Sequence, residues 1–244
     1  MGTVFSFDVR GGGPAVREAL GAAVASLHQA DEVFSTYRPE SQISRLARGE
    51  LALADCDPEV RELRRRCEEA ERRSGGWFSA SYAGAGSFDP TGLVKGWAVE
   101  RAARVLADAG ADGVCLNGGG DVQLLGGDWK VGIADPLRPG QLAALVAAGA
   151  GTDLAVATSG PAERGCHIRD PRTGEPPATS LASFTVLCPR LTDADAWATA
   201  GYAMGDAARD WIEALPDAEA FAVTTTGALW YTTGFPRYAV GVRA

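Results

Sequence analysis

The amino-acid sequence predicts an α+β fold, with packed helices and mostly antiparallel strands, and two observations support it. Amphipathic helical patterns dominate the chain before Gly110, whereas beyond it short apolar runs are separated by glycines, as strands joined by turns are. These patterns do not alternate as a regular strand–helix–strand series. With 244 residues and 46% hydrophobic content the chain can bury a substantial core, and without a linker or an internal repeat we expect one domain over residues 1–244.

The opening of the chain predicts a strand and an amphipathic helix. Residues 3–9 alternate between apolar and polar side chains, and the GGGP run that follows turns the chain. The apolar face of the helix should consist of Val16, Leu20, Val24, Leu27 and Phe34. Two further helices are expected at about Pro58–Arg73, ended by Ser74-Gly75-Gly76, and at about Val94–Ala109.

The chain after Gly110 predicts the strands. The candidate strands are GVCLN, DVQLL, WKVGI, DLAVAT, SFTVLC, AFAVTT and ALWYTT. The alanine-rich residues 142–151 fit a helix or a loop. Helical patterning returns at Asp193–Met204 and in a shorter stretch, Ala207–Leu215, on which Trp211 should face the interior.

Charge and composition exclude several classes of protein. The formal charge is −8 and the basic residues are scattered, so nucleic acid, which requires a concentrated positive field, is not an expected partner. No apolar run is long enough to cross a bilayer and the first residues carry no export signal, so we expect no transmembrane segment and a cytoplasmic location. The 5 cysteines never form a CxxC pair, which favours reduced thiols over disulfides or structural zinc.

The run Phe88–Ala98 gathers polar and flexible residues where a helix is expected to begin. Pro90 and Gly92 should form a tight turn that leads into this helix. The unpaired amides of a first helical turn, together with Lys95, can face an anion such as a phosphate. The alternative is that Asp89 only caps the helix.

The run Asn117–Asp121 ends a predicted strand with three glycines. Glycines allow a ligand to lie against bare backbone. The run is not a dinucleotide-binding fingerprint, because the strand-like residues VQLL, and not a helix, follow it. On the glycines alone, a simple hairpin turn is the favoured interpretation.

A histidine and an acid–hydroxyl pair are the remaining candidates for chemistry. His167 lies within the charged run Ser159–Gly174, where an imidazole can take a proton from a hydroxyl nucleophile. Asp195 and Thr199 are four residues apart on a predicted helix, so they share a face and offer the oxygen ligands that magnesium prefers. Such a pair is also common surface decoration. Asp193 should point elsewhere, as a helix cap or toward solvent.

In this order the segments resemble the ApbE family, the FAD:protein FMN transferases. The resemblance includes the run DPTGLVKGWA, the run NGGGD, the SG…HIRDPRTG run and the run ADAWAT. It extends to Met1-Gly2-Thr3, Phe34–Tyr37 and Ser41–Leu46 nearer the start. It implies an α+β fold in which a groove between two lobes holds FAD beside magnesium. It also implies transfer of FMN to a threonine or serine hydroxyl of an acceptor flavoprotein, with release of AMP.

Carried over by position, the resemblance implies roles for individual residues. His167 would be the catalytic base. The metal would be held by the Gly92 carbonyl, Asp195 and Thr199. The implied FAD contacts are Met1, Tyr37, Trp77, Phe78, Ser79, Asp89, Lys95 and Arg169. We expect Asp195 to face solvent in the groove, so that its removal would leave the core largely intact.

The chain departs from the family pattern at several positions. Many relatives carry Asp-Pro-Thr where this chain has Ser79-Ala80-Ser81, some have an acidic metal ligand at the position of Ala198, and many carry a leader ahead of the MGT segment. Two other functions are compatible with the same residues. One is an FAD pyrophosphatase that releases FMN and AMP, and the other is a non-catalytic FAD-binding module.

Overall fold

Helices and two antiparallel sheets build the molecule. The computed structural model describes residues 2–81, 87–161 and 168–243. The helices are α1 (Pro14–Phe34), α2 (Gln42–Ala47), α3 (Pro58–Arg73), α4 (Thr91–Asp108), α5 (Leu191–Met204) and α6 (Ala208–Glu213). The strands are β1 (Phe5–Arg10), β2 (Gly113–Gly118), β3 (Asp121–Gly126), β4 (Trp129–Ala134), β5 (Leu142–Ala148), β6 (Leu154–Ser159), β7 (Leu181–Cys188), β8 (Glu219–Thr224), β9 (Leu229–Tyr231) and β10 (Ala239–Val242).

The strands form a large and a small sheet. The large sheet has the order β1-β2-β3-β6-β7-β8-β9, and the small sheet has the order β10-β5-β4. Every pairing among the described strands is antiparallel. The α+β prediction is therefore confirmed.

Each face of the large sheet is covered by a different layer. On one face its apolar side chains join those of α1, α4 and α5 in the main core. On the other face, Val122, Leu154 and Val156 pack with Trp129 and Ile133 of the small sheet in a second core. The molecule therefore has a helical layer, a central sheet and an outer sheet, and sites between layers draw on distant parts of the sequence.

Helix α1 begins where predicted, but its buried face differs. Leu20 and Val24 are each 38% exposed, whereas Ala23 and Ala30 are fully buried. The helix packs closely against α4, and small side chains at the contact let the two backbones approach. The predicted buried face was wrong at Leu20 and Val24, because large apolar residues were expected to be buried in preference to alanine.

The alanine-rich segment also differs from its prediction. Residues 142–148 form β5, the central strand of the small sheet, which pairs with β4 on one side and β10 on the other. Alanine favours helices, but pairing on both edges and burial of Ala143, Ala144 and Val146 outweigh that preference. Trp211 faces the interior as predicted: it is half-buried, packs against the main core and its ring centre lies 5.7 Å from that of Trp197, while Ala208 and Ile212 are the fully buried residues of α6.

The glycine-rich run Asn117–Asp121 is a hairpin turn between β2 and β3. Gly119 and Gly120 have φ angles of +61° and +91°, a backbone region that favours glycine and is typical of type I′ hairpins. The Asn117 side chain accepts a hydrogen bond from the Gly120 amide at 3.0 Å. The hairpin interpretation is confirmed.

The described cysteines are Cys56, Cys67, Cys115 and Cys188, and all four are free thiols. Burial raises the pKa of Cys67 and Cys188 to about 12. These thiols stay protonated at neutral pH and behave as small apolar side chains. Within the described ranges, no helix is both long enough and apolar enough to cross a bilayer.

Replacement of Gly96 by alanine should destabilise the chain. An added β-carbon would clash with the Leu191 carbonyl oxygen and lie 2.7 Å from the β-carbon of Asp195, so α4 and α5 would have to separate. We expect the free energy of unfolding to fall by about 1–3 kcal/mol in urea titrations. Gly21→Ala is the matched control, because this exposed helical glycine has no atom within 4 Å and alanine should add about 0.5–1 kcal/mol there. Equal stabilities of the two variants would contradict the close α4–α5 approach.

Candidate functional site

A cavity of about 510 Å³ lies where the helical layer and the two sheets meet. Its helical wall consists of the start of α4 and the middle of α5, its floor comes from strand ends of the large sheet, and its far wall is β4 of the small sheet. The cavity is mixed in character, because backbone, hydroxyl, carboxylate and ammonium groups alternate with apolar side chains along its surface. It is large enough to bind much of a small organic ligand.

Most of the predicted site residues line this one cavity. They are Trp77, Phe78, Ser79, Asp89, Gly92, Lys95, Arg169, Asp195 and Thr199. Tyr37 is 94% exposed and does not belong to the cavity lining. Met1 and His167 fall outside the described residues. The structure therefore brings together residues that the sequence spreads over more than 120 positions, from Trp77 to Thr199.

Helices α4 and α5 cross at the three predicted metal ligands. The Thr199 hydroxyl lies 3.5 Å from the Gly92 carbonyl oxygen. The Gly96 amide donates to Asp195 Oδ2 at 2.8 Å, and regular helix geometry directs this same amide toward the Gly92 carbonyl. The Asp195 carboxylate and the Gly92 carbonyl thus converge on one N–H group.

The predicted ligands fit a hard divalent cation. Gly92, Asp195 and Thr199 offer a carbonyl, a carboxylate and a hydroxyl, all oxygen donors at the cavity wall. Among the described residues, no group of three histidine, cysteine or acidic side chains is placed to hold a metal. One carboxylate with neutral oxygens suits magnesium, which keeps water or substrate phosphate in its other positions, and does not suit a closed structural zinc site.

Asp195 is buried, not exposed to solvent. Its relative exposure is 5%, and besides accepting the Gly96 amide its Oδ1 lies 3.9 Å from Lys95 Nζ. The expectation of a solvent-facing acid was wrong because α5 lies against both α4 and the large sheet. Asp193 does point away from the cavity, toward Arg190 at 3.9 Å, but it lies within the first turn of α5 and does not cap it.

Lys95 forms an ion pair that the sequence alone did not predict. Its ammonium group contacts the Asp121 carboxylate directly, and the other Asp121 oxygen accepts the Thr158 amide at 3.0 Å. The Asp121 side chain is only 2% exposed and that of Lys95 14%. Lys95 therefore lies between Asp121 on the large sheet and Asp195 on α5, and its charge is offset by two buried carboxylates.

Two turns shape the mouth of the cavity. Asp89 Oδ1 accepts the Thr91 amide at 3.0 Å in the turn before α4, although Pro90, and not Asp89, occupies the N-cap position of this helix. Asp170 Oδ1 accepts the Arg172 amide at 2.8 Å in the loop that carries Arg169. The Arg172 guanidinium then lies 3.8 Å from the centre of the Trp77 ring, a cation–π contact that supports this wall.

The sequence analysis missed several residues on the sheet side of the cavity. Lys130–Ala134 form the far wall, and Ser183 and Cys115 contribute to the floor. Ser183 is buried, and its hydroxyl has no hydrogen-bond partner among the described residues. Burial, with a smaller contribution from Asp8 on the adjacent strand, raises the pKa of the Cys115 thiol, so this group is not a nucleophile at neutral pH. No local motif marks these positions, because they reach the cavity only through strand pairing.

The sequence of this chain was compared with models of known protein families. The model of the ApbE family matches residues 1–88 and 83–222, which is most of the chain. The chain belongs to the ApbE family.

Individual ApbE relatives match in sequence or in structure. The FAD:protein FMN transferase of Treponema pallidum is 36% identical over 134 residues, which cover 46% of this chain and 36% of that protein. The protein of the same name from Klebsiella pneumoniae is 31% identical over 121 residues, covering 46% of this chain and 37% of that protein. These matches thus span little more than a third of the length of either relative.

Solved ApbE structures share the fold over nearly the whole chain. The ApbE protein of Thermotoga maritima superposes with a TM-score of 0.83 at 20% identity, covering 98% of this chain and 99% of that one. The apo flavinyl transferase ApbE of Pseudomonas stutzeri gives 0.82 at 24% identity, with coverages of 99% and 95%. At such identities the likeness concerns the fold alone.

Lys95→Met should destabilise the chain strongly. The change leaves the Asp121 and Asp195 carboxylates buried without their cation, which typically lowers the free energy of unfolding by about 3–5 kcal/mol. The double variant Lys95→Met/Asp121→Asn should recover part of this loss, because one of the two charges is removed. Urea unfolding measures both. The exposed Lys130→Met serves as control and should change stability by at most about 0.5 kcal/mol. A Lys95→Met variant as stable as this control would contradict the buried pair.

Proposed function

We propose that this chain transfers the FMN half of FAD to a threonine or serine hydroxyl of an acceptor flavoprotein, uses magnesium, and releases AMP. The observation that carries the proposal is the approach of Gly92, Asp195 and Thr199 to one another beside Lys95, in a cavity of about 510 Å³. The name shared by the Treponema and Klebsiella relatives supports the same activity. A cytoplasmic location and a single domain over 1–244 stay predictions of the sequence.

The helical wall supplies the groups that a diphosphate requires. The Thr91 and Leu93 amides of the first turn of α4 are bonded to Asp89 and Pro90, so the charge at this wall comes from Lys95, which follows on the same helix and lines the cavity. Magnesium held by the Gly92 carbonyl, Asp195 and Thr199 would supply further positive charge against the diphosphate. Trp77 and Phe78 offer aromatic surface, and Arg169 offers a second cation, at the same cavity.

The proposed reaction is a displacement at the FMN phosphorus. The oxygen of the acceptor hydroxyl forms a new bond to this phosphorus, and the bond from phosphorus to the bridging oxygen of the diphosphate breaks. AMP leaves with that oxygen and with the electron pair of the broken bond. His167 is the proposed base that takes the hydroxyl proton. Lys95 stabilises negative charge on the phosphoryl oxygens by a fixed ammonium group, which needs no rearrangement as the charge develops.

Covalent labelling tests the proposed function directly. The chain, FAD and magnesium chloride are incubated with an extract of the source organism, and proteins are separated under denaturing conditions. We expect a protein band that keeps flavin fluorescence, FMN on a threonine or serine by mass spectrometry, and AMP in equal amount. FMN and AMP released without any labelled protein would identify a pyrophosphatase, and FAD that stays intact would identify a binding module. Either result would end the transferase proposal.

Two aspartates on α5 give a matched pair of variants. Asp195→Asn keeps an acceptor oxygen for the Gly96 amide but removes the charge that faces the cavity, so we expect transfer to slow by about 10²–10³-fold. Asp193→Asn changes the same type of residue two positions earlier, outside the cavity lining, and should keep transfer within about twofold, as changes remote from a site do. Initial rates of flavin labelling measure both. Equal rates in the two variants would remove Asp195 from the proposed metal site.

The pKa of Asp193 indicates how the Asp193→Asn control should affect stability. Burial, more than any other factor, raises the pKa of the Asp193 carboxyl above its ordinary value. A raised folded-state pKa adds stability only while the group is protonated, and this contribution is lost as pH rises through the folded pKa. Because its pKa is raised, ionisation of Asp193 is less favourable in the folded state than in the unfolded state, so asparagine should not reduce stability through loss of charge. A loss of activity in Asp193→Asn could then not be ascribed to unfolding.

A further inference from the structure

The outer edge of β4 is open. In the small sheet β4 is the terminal strand, and among the described residues it pairs with β5 alone. An unpaired strand edge offers a row of N–H and C=O groups to another chain, and folded proteins usually cover or disrupt such edges. The outer edge of β4 can therefore pair with a strand from another chain.

This edge faces the cavity. All five consecutive residues from Lys130 to Ala134 line it. Because successive side chains of a strand point to opposite faces of the sheet, an unbroken run of five lining residues indicates that the backbone edge borders the cavity. The run is about 17 Å long, the length of an extended segment of five residues.

Hydrogen bonds on the far side of β5 show which peptide groups are open. The Ala147 amide donates to the Tyr238 carbonyl at 2.8 Å, and the Arg243 amide donates to the Ala143 carbonyl at 2.9 Å. In an antiparallel ladder, residues two apart along a strand direct their N–H and C=O to the same side. Ala143, Leu145 and Ala147 therefore direct their peptide groups toward β10 and away from β4.

The register between β4 and β5 shows which peptide groups of β4 point to the open edge. Lys130 lies opposite Ala147, and Gly132 lies opposite Leu145. These are pairs that do not exchange hydrogen bonds, so the N–H and C=O groups of Lys130 and Gly132 point away from β5, to the open edge. An incoming strand finds two donors and two acceptors there, at alternate residues.

The charge around the edge indicates the chemistry of the partner. Lys130 and Arg169 are both exposed and both line the cavity. Neither has an ion-pair partner within the described part of the chain, although the protein as a whole carries a formal charge of −8. Because Lys130 lies on the open strand itself, its positive charge favours an acidic polypeptide segment as the partner.

We propose that the acceptor protein presents its hydroxyl residue on an extended, acidic segment that adds to β4 as a fourth strand of the small sheet. Its backbone pairs with the peptide groups of Lys130 and Gly132, and an acidic side chain lies near Lys130. Main-chain pairing of this kind supplies affinity with little dependence on sequence. The inference rests on the proposed transferase function, because it places the acceptor of that reaction.

Gly132→Pro tests the pairing. Proline removes the outward N–H and is tolerated on edge strands where that group is not used within the sheet. The probe is the protein that becomes flavin-labelled in the extract experiment, purified without its flavin. We expect kcat/KM for this acceptor to fall at least tenfold while the dissociation constant for FAD stays within twofold. Gly132→Ala, which keeps the N–H and adds only a β-carbon against the flexible end of Leu142, is the control and should lose at most about twofold.

Synthetic peptides that span the labelled residue give a test without any change in the enzyme. Methylation of backbone nitrogens on one set of alternate residues should abolish flavin transfer, and methylation of the other set should leave it, because an added strand turns only alternate N–H groups to its neighbour. Equal effects of the two sets would overturn the inference.

The outcomes separate this inference from the transferase proposal. Absence of any labelled protein would end both. Normal transfer to the acceptor by Gly132→Pro would end only the β4 pairing, and so would a tenfold weaker binding of FAD by this variant, since the edge would then be a flavin contact. Salt-independent transfer, or an unchanged KM in Lys130→Gln, would remove the acidic character of the segment.

Discussion

The close approach of α4 to α5 at Gly96 is the constraint on which the cavity depends. The Gly96 amide and the Asp195 carboxylate are 99 residues apart in sequence and 2.8 Å apart in space. A side chain at position 96 would occupy the space of the Leu191 carbonyl and the Asp195 β-carbon. The absence of a side chain therefore lets one carboxylate reach the first turns of another helix, and Gly92 and Thr199 are brought together by the same approach.

One ammonium group and two carboxylates lie together at this crossing, from Lys95, Asp121 and Asp195. Within the described ranges Lys95 contacts the Asp121 carboxylate directly and lies 3.9 Å from Asp195 Oδ1. Buried charges are strongly unfavourable unless they are paired, so the two carboxylates and the ammonium group depend on one another. Each carboxylate also accepts one backbone amide, Asp121 from Thr158 and Asp195 from Gly96, so both are fixed in position at the cavity.

The sequence predicted the helical wall of the site better than its sheet walls. Spacing along one helix places Asp195 and Thr199 on one face, and a glycine with a lysine at a helix start is compatible with an anion site, but the roles of these residues came from the family resemblance. The contribution of Lys130–Ala134 depends on which edge of a sheet faces the cavity, and no residue type encodes that. Tyr37, assigned by resemblance, is exposed outside the cavity lining. Likewise, alanine in β5 was misread because strand pairing, and not local preference, decides its conformation.

The helical wall and the β4 wall of the cavity differ in the kind of ligand that they suit. The helical wall presents fixed charges and oxygen ligands, which suit the phosphates of a nucleotide, whereas the β4 wall presents backbone groups, which suit a polypeptide of variable sequence. The large sheet fixes the distance between the walls, because α5 packs on one of its faces and the small sheet on the other. In the proposed reaction, the nucleotide would therefore contact the helical wall and the acceptor segment would contact the β4 wall of the same cavity.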